Sequence, residues 1–185
     1  MSAPVGSRGR PGRRTGRRVV VCTGTLLLVT ALGLGAGLRL NLTGSIPIGL
    51  YRVSSEPVAR GAIVLACLPA EVASFALSRG YVPHGRCAGG TAPIGKVVLA
   101  LEGDVVQVTG TGLVVNGQGV RGTTPLAVDG AGRSLRRFPN GVYRVRADQV
   151  WLYSPYSARS FDSRYFGPLP RSCILSRVLP LWTIE

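Results

Sequence analysis

The sequence predicts a mainly β domain of coiled antiparallel sheets with one small helical insertion, preceded by a single transmembrane helix. Two observations lead to this prediction. Short β-rich runs separated by turn residues dominate residues 39–185. The twenty residues before them, 19–38, contain no charged side chain, and at about 1.5 Å each a helix of that length spans roughly 30 Å, the thickness of a bilayer core.

The first 38 residues divide into a tail and an apolar segment. Residues 1–18 are rich in Gly, Pro and Ser and carry six Arg without an acid. By the positive-inside rule this tail is expected in the cytoplasm, with 19–38 as the transmembrane helix. Residues 39–185 then form a periplasmic domain at a bacterial inner membrane. A cleaved signal peptide, or a twin-arginine export signal at Arg17 and Arg18, is the alternative.

Six runs in the C-terminal part read as strands and one as a helix. The strand predictions are Gly61–Ala66, Lys96–Leu101, Asp104–Val108, Leu113–Val115, Gly141–Val145 and Gln149–Tyr153. Asn-Gly pairs at 116–117 and 140–141 indicate tight turns. The helix is predicted over 69–79, because Pro69 stands at its start and Gly80 follows its end.

The four cysteines differ in their surroundings. Cys22 lies in the apolar segment, whereas Cys67 and Cys87 flank the predicted helix. In an oxidising compartment these two could form a disulfide that staples the helical insertion. Cys173 is left without a partner, and we expect it to be buried. No Cys/His cluster suggests a metal, and nothing else in the chain indicates a cofactor.

Charge and residue content exclude several function classes. The net charge is +14, and 21 of the 22 basic residues are Arg. Six of these lie in the N-terminal tail, so we expect no nucleic-acid binding by the folded part. Arg133, Arg136 and Arg137 form a basic loop that is either solvated or faces an anionic lipid or acidic partner.

Several kinds of catalytic site also lack the residues they need. The single His, His84, lies in a loop and argues against a Ser-His-Asp or Cys-His site. The eight acidic residues do not form a paired-carboxylate motif.

Lys96 is the only lysine of the chain, and apolar residues flank it on both sides. A strand there would bury its stem, and burial lowers the pKa of an amine until it can act as a general base. An arginine cannot do this, because its guanidinium stays protonated. The alternative is an ordinary surface lysine.

A candidate nucleophile follows the apolar segment almost directly. Ser45 lies between Gly44 and Ile-Pro, and Thr43 stands two residues before it. The Thr43 hydroxyl and the Ser45 N–H could stabilise a developing oxyanion. By itself this segment also fits an ordinary proline-containing turn beside a membrane.

Four segments resemble the boxes of the signal peptidase I superfamily, peptidase family S26, and occur in the order typical of that family. They are Thr-Gly-Ser-Ile-Pro-Ile-Gly-Leu-Tyr (43–51), Gly-Lys-Val-Val-Leu-Ala-Leu-Glu-Gly-Asp (95–104), Leu-Val-Val-Asn-Gly (113–117) and Ser-Phe-Asp-Ser-Arg-Tyr-Phe-Gly (160–167). The details are similar to the TraF-type peptidases of conjugative transfer. Ile46 departs from the usual Met, and Val97 from the usual Arg.

The resemblance implies a coiled antiparallel β-sheet domain of the signal peptidase/LexA type with a Ser-Lys dyad. Ser45 would be the nucleophile and Lys96 the general base. Thr43 would stabilise the oxyanion and Ser160 would orient Lys96, while Asp162 and Arg164 would form a structural ion pair.

The implied function is a membrane-anchored serine endopeptidase that processes a membrane-tethered pilin or other precursor in conjugative transfer. A general type I signal peptidase, or a non-catalytic subunit of the transfer apparatus, is the alternative.

Overall fold

The structure is a computed structural model that describes residues 35–184. The chain divides into two units, residues 1–38 and 39–185. The Arg-rich tail, Cys22 and nearly all of the predicted transmembrane segment therefore lie outside the described residues. No helix within 35–184 is both long enough and apolar enough to cross a membrane.

The described residues contain eleven strands and two short α-helices. The strands are β1 (Leu38–Asn41), β2 (Ile48–Ser54), β3 (Ile63–Ala66), β4 (Ile94–Ala100), β5 (Val105–Thr109), β6 (Gly112–Val115), β7 (Gln118–Gly119), β8 (Gly141–Arg144), β9 (Gln149–Tyr153), β10 (Leu169–Pro170) and β11 (Ile174–Ile184). The helices are α1 (Ala70–Ser78) and α2 (Ser163–Phe166), and Arg171–Cys173 form one 3₁₀ turn.

The strands form two sheets. The larger has the order β1-β2-β11-β3-β4-β9-β10, and the smaller has the order β7-β6-β5-β8. Strand β4 pairs antiparallel with β3 on one side and with β9 on the other, and all seven of its residues are buried. This position explains why its sequence is a nearly continuous apolar run rather than an alternating one.

Two hydrophobic cores share β4 and β9. On β9, Val150 and Leu152 belong to the core between the larger sheet and α1, whereas Trp151 belongs to the core of the smaller sheet. Successive residues of a strand point to opposite faces. On β4, Ile94 belongs to the first core and Leu99 to the second. Strand β4 is therefore held from both faces, which makes it a rigid support for any group on it.

A disulfide closes the helical insertion between β3 and β4. Cys67 and Cys87 are bonded, with their Cα atoms 5.6 Å apart. Between them α1 begins after Pro69, whose φ of −57° suits the start of a helix, and the chain turns at Gly80 with a φ of +69°. Cys173, on the neighbouring 3₁₀ turn, is half-buried and has a free thiol.

All six predicted strands and the predicted helix are present, with ends shifted by a few residues. The Asn116-Gly117 turn is also confirmed, since both residues have positive φ values, 51° and 81°. Strands β2 and β11 are the main elements that the sequence did not predict. Strand β11 contains Pro180, which removes a ladder donor, and the structure accommodates it where the register shifts between Pro180 and Trp182.

Candidate active site

A cleft of about 580 Å³ brings the four sequence-predicted functional residues together. Thr43 and Ser45 come from the turn between β1 and β2, Lys96 from β4, and Ser160 from the segment before α2. All four line the same cleft although 117 residues separate the first from the last. The lone His84 is exposed and is not among the residues that line it.

Lys96 lies at the buried end of this cleft, with 3% of its surface exposed. Lys96 lies opposite Val64 of the neighbouring strand β3. The pKa of Lys96 is lowered from 10.5 to about 8. Desolvation is the main cause, the carboxylate of Asp162 opposes the shift, and the charge of Arg164 adds to it. A sizeable fraction of the amine is therefore neutral near neutral pH, which a general base requires.

The turn that carries Ser45 is packed directly against the strand that carries Lys96. Ile46, the residue after Ser45, is buried and lies over Gly95, the residue before Lys96. A Cβ atom at Gly95 would stand 2.7 Å from Ile46 Cδ1, closer than real carbon atoms approach. The absence of a side chain at Gly95 lets Ile46, and with it the turn that carries Ser45, lie directly on β4.

Hydrogen bonds fix the same turn from its other side. The buried Tyr51 of β2 donates its hydroxyl to the carbonyl oxygen of Pro47 at 2.6 Å. The side chain of Asn41, at the end of β1, bonds to Thr43, Ile46 and Pro47. The Thr43 hydroxyl donates to Asn41 Oδ1 at 2.8 Å. Ser45 itself is half-buried at the surface of the cleft.

Ser160 is buried and, like Lys96, lines the cleft, but its hydroxyl makes no hydrogen bond with any of residues 35–184. The hydrogen bond to Lys96 that the resemblance implies is thus not formed in this structure. A buried hydroxyl without a partner is uncommon and costly, and here it lies in the lining of the cleft.

Asp162 and Arg164 form the ion pair that the resemblance implies. Both side chains are buried, and Arg164 Nε lies 2.8 Å from Asp162 Oδ1. Asp162 also caps α2 by accepting the backbone N–H of Arg164. The pair therefore anchors the segment that carries Ser160. Its two charges shift the pKa of Lys96 in opposite directions, since Asp162 raises it and Arg164 lowers it.

Two loops form the outer walls of the cleft and are joined by Asp129. One wall is the disulfide-closed insertion, which contributes Tyr81, and the other is the loop around Asp129. Asp129 accepts hydrogen bonds from the Tyr81 hydroxyl and from Arg133 Nε, each at 2.7 Å. Burial would raise the pKa of Asp129, but these hydrogen bonds outweigh it and lower the pKa below its usual range.

Sequence reasoning did not single out Asn41, Gly95 or Tyr51 as parts of the site. Two of them, Asn41 and Gly95, have a local sequence signal whose meaning becomes clear only once the structure is known. An Asn before a Gly-containing turn is typical of side-chain to backbone bonding, and a Gly inside a strand indicates a close approach by another segment. Neither signal identifies the partner, which comes from a distant part of the chain in the case of Gly95.

The sequence matches a known protein family. A model described as "Signal peptidase, peptidase S26" matches residues 15–182. The chain belongs to the peptidase S26 family. Membership of S26 signal peptidases suggests a serine peptidase, in agreement with a cleft that contains Ser45 and the buried Lys96.

Relatives of this S26 chain come from conjugative systems. "Plasmid transfer protein TraF" of Escherichia coli is 43% identical over 173 residues, which are 92% of this chain and 97% of the relative. "Conjugal transfer protein TraF" of Agrobacterium tumefaciens (strain 15955) is 40% identical over 175 residues, 91% of this chain and 97% of the relative. The chain is therefore similar to TraF proteins over nearly its whole length.

A solved signal peptidase I from Enterococcus faecalis V583 has a TM-score of 0.39 and 16% identity, covering 68% of this chain and 100% of that one. This likeness is too distant to carry an argument about the fold.

Proposed function

We propose that this chain is a membrane-anchored serine endopeptidase with a Ser45–Lys96 dyad that processes a pilin or another precursor in conjugative transfer. One observation carries the proposal. The only lysine of the chain is buried in the cleft that Ser45 lines, and its pKa is lowered to about 8. A buried lysine is costly to keep, and a lowered amine pKa is the property that a general base needs.

In the proposed reaction Ser45 Oγ attacks the scissile carbonyl while the neutral amine of Lys96 takes its proton. The Ser45 N–H and the Thr43 hydroxyl stabilise the oxyanion. The protonated Lys96 then returns the proton to the leaving amine, which breaks the peptide bond and leaves an ester on Ser45. Water attacks this ester with Lys96 again as base, which releases the new carboxylate and restores Ser45.

Exposed apolar side chains support a location of the cleft at the membrane surface. Leu40, Leu42, Ile48, Trp182 and Ile184 are exposed, and we call them the apolar rim. Ile184 pairs with Ile48 across β11 and β2, so these two lie on one face of the sheet. Leu40 and Leu42 also line the cleft. Exposed apolar surface of this kind is typical of a site that contacts a membrane or a partner.

A membrane that anchors both the enzyme and its precursor would favour the reaction. A precursor tethered by its own hydrophobic segment has a raised effective concentration at a cleft that lies beside the bilayer. We place this cleft on the periplasmic side of a bacterial inner membrane, with the N-terminus in the cytoplasm. In spheroplasts of a strain that expresses the full chain, added protease is expected to degrade residues 39–185. Protection of these residues would contradict this topology.

The test of the function is co-expression of the full chain with candidate pilin precursors from the same conjugative system, followed by intact-mass analysis. Wild type is expected to shorten one precursor, and Ser45→Ala is expected to leave it whole. Ser78→Ala is the matched control, because Ser78 is exposed on α1 and bonds only to the carbonyl of Phe75. It should process like wild type.

The same experiment separates the alternatives. Cleavage of a broad set of exported precursors, rather than of one pilin, would favour a general signal peptidase. Undiminished processing by Ser45→Ala would favour a non-catalytic subunit and overturn the proposal. The product mass also distinguishes hydrolysis, which adds a water, from joining of the new terminus to an amine, which does not.

A further inference from the structure

The turn that carries Ser45 is held by the side chain of one residue, Asn41. Its amide Nδ2 donates to the carbonyl oxygens of Thr43, Ile46 and Pro47, at 2.8, 3.0 and 3.0 Å. Its Oδ1 accepts the backbone N–H of Thr43 at 3.2 Å and the Thr43 hydroxyl at 2.8 Å. Asn41 therefore bonds to the residues on both sides of Ser45.

These bonds add to the backbone turn at Gly44 and Ser45. Within the described chain, no short and well-aligned backbone–backbone hydrogen bond outside strand pairing involves residues 42–47. The turn is also attached by the Tyr51 bond to Pro47, by the contact of Ile46 with Gly95, and by the packing of buried Ile46 against Tyr51 and Val178. All of these involve turn residues after Ser45 in the chain. On the Thr43 side the turn depends on Asn41.

Only an amide can make this set of bonds. The Nδ2 group has two hydrogens for three carbonyl oxygens, so one N–H is shared between two of them. The N–H and hydroxyl of Thr43 need an acceptor, and the same Asn amide supplies both donors and acceptor. An aspartate in the same place would keep the acceptor and lose all three donations. It would also bring a negative charge against three carbonyl oxygens.

The bond to Thr43 also fixes the direction of its hydroxyl hydrogen. A hydroxyl has one hydrogen, and here Thr43 donates it to Asn41 Oδ1. In this arrangement Thr43 presents lone pairs to the cleft. To donate to an oxyanion, the hydroxyl must rotate away from Asn41.

We propose that Asn41 is the positioning residue of the site, which holds the nucleophile turn and controls where the Thr43 hydroxyl hydrogen points. The inference rests on the proposed function, because it assigns Asn41 a role in reaction at Ser45. Asn41 lines the cleft, but its hydrogen bonds within residues 35–184 go to Thr43, Ile46 and Pro47 and not to Ser45 or Lys96, so we expect its effect to pass through the turn and Thr43. Its loss should therefore lower kcat rather than raise KM or unfold the chain.

The test uses steady-state kinetics of the full chain on the precursor that wild type processes. Asn41→Asp and Asn41→Ala are each expected to lower kcat by about 100-fold, the scale of a misplaced reacting group. KM should change by less than about threefold, and any fall in the unfolding temperature should be no larger than that of the Asn116→Asp control, which also loses a turn bond.

A matched control is Asn116→Asp. Asn116 also bridges a turn, since its Oδ1 accepts from Val105 N–H and its Nδ2 donates to Asp104 Oδ1. It lies outside the cleft lining. This variant should lower the unfolding temperature and leave kcat within about twofold of wild type, a difference of under about 0.5 kcal/mol. Asn41→Asp is thus expected to lower kcat, whereas Asn116→Asp is expected to lower the unfolding temperature without lowering kcat.

A double-mutant cycle tests the link to Thr43. If Asn41 acts partly through the Thr43 hydroxyl, then the loss of kcat caused by Thr43→Val should differ between the Asn41→Ala background and wild type. Equal costs in both backgrounds would overturn the hydroxyl part of the inference.

Wild-type kcat in both Asn41 variants, or a loss matched by an equal loss of stability, would overturn the positioning role. Ser45→Ala is measured alongside. If it still processes the precursor, the proposed function fails and this inference with it. If it is inactive while both Asn41 variants are fully active, only this inference fails.

Discussion

Two buried cations stand near each other in this molecule and have opposite surroundings. Arg164, 2% exposed, holds both oxygens of Asp162, at 2.8 and 2.9 Å, and donates to the carbonyl oxygen of Ser160. It also reaches three further carbonyls, those of Gly122, Thr124 and Ala158. Lys96, 3% exposed, makes no side-chain hydrogen bond or ion pair with any of residues 35–184.

The same burial therefore has opposite consequences for the two groups. Burial would lower the pKa of Arg164, but the hydrogen bonds and charge of Asp162 outweigh it and raise the pKa. For Lys96, desolvation outweighs the attraction of Asp162 and lowers the pKa to about 8. A compensated buried cation stabilises the fold, whereas an uncompensated one is able to lose its proton. Burial alone does not distinguish a structural charge from a catalytic one.

The largest effect is expected from replacing Lys96. Lys96→Arg keeps the positive charge but cannot act as a base, so it should be as inactive as Lys96→Ala, with processing slowed by about 10³-fold or more. The measurement is the rate of precursor cleavage at pH 8. An active Lys96→Arg enzyme would mean that charge alone is needed, and the contrast with Arg164 would fail.

Replacing Arg164 and replacing Lys96 should change the free energy of unfolding in opposite directions. Arg164→Met leaves Asp162 buried without its partner, so the free energy of unfolding should fall by about 3–5 kcal/mol. Lys96→Met removes a buried cation whose pKa is lowered from 10.5 to about 8, mainly by desolvation, so it should raise the free energy of unfolding at pH 7 by up to about 3 kcal/mol. Denaturant unfolding of both variants checks this.

The sign of the Lys96 contribution also predicts its pH dependence. Between pH 8 and 10.5 the unfolded chain binds the proton that the folded chain has lost, so wild-type stability should rise relative to Lys96→Met over that range. Destabilisation by Lys96→Met at pH 7 would show that the ammonium has a stabilising partner.

Activity should follow the neutral form of Lys96. We expect kcat/KM of wild type to rise about tenfold per pH unit below pH 7 and to level off above about pH 9, because the amine has a pKa of about 8. Initial rates from pH 6 to 10 measure this. A flat profile would contradict the assignment of Lys96 as the base.

The smallest effect concerns the contact that brings Ser45 to Lys96. Gly95→Ala places a Cβ against the Ile46 side chain, which must move. We expect this movement to reach the turn that carries Ser45 and to lower kcat by about 10-fold. Gly119→Ala is the control, because nothing lies within 4 Å of a Cβ there. Equal kcat values in the two variants would show that the contact does not position Ser45.

The elements that the sequence predicted carry local signals. Helix α1 has Pro69 before it and Gly80 after it, and β4 is an apolar run that ends before a Gly turn. Strand β11 was missed because Pro180 breaks its pattern, and only the register shift in its pairing with β2 shows why the proline is tolerated.

Side chains outside regular elements were harder to predict. Arg133 was expected in a loop that is either solvated or faces a partner. Its side chain is 40% exposed, and it also pairs with Asp129 four residues earlier and bonds to the carbonyl of Arg79, which the sequence did not predict. Sequence alone could not show that the loop folds back on itself and meets the disulfide-closed insertion.

By itself, the sequence determined the β-rich class, the Asn116-Gly117 turn and the choice of Ser45 and Lys96 as candidates, because these depend on residue type and on neighbours in the chain. Only the tertiary structure decided that Lys96 is desolvated and unpaired, that Arg164 is fully paired, and that Ile46 lies on Gly95. The reason is physical. The pKa of a buried group depends on every charge and dipole around it, and the chain brings these together from segments far apart in sequence.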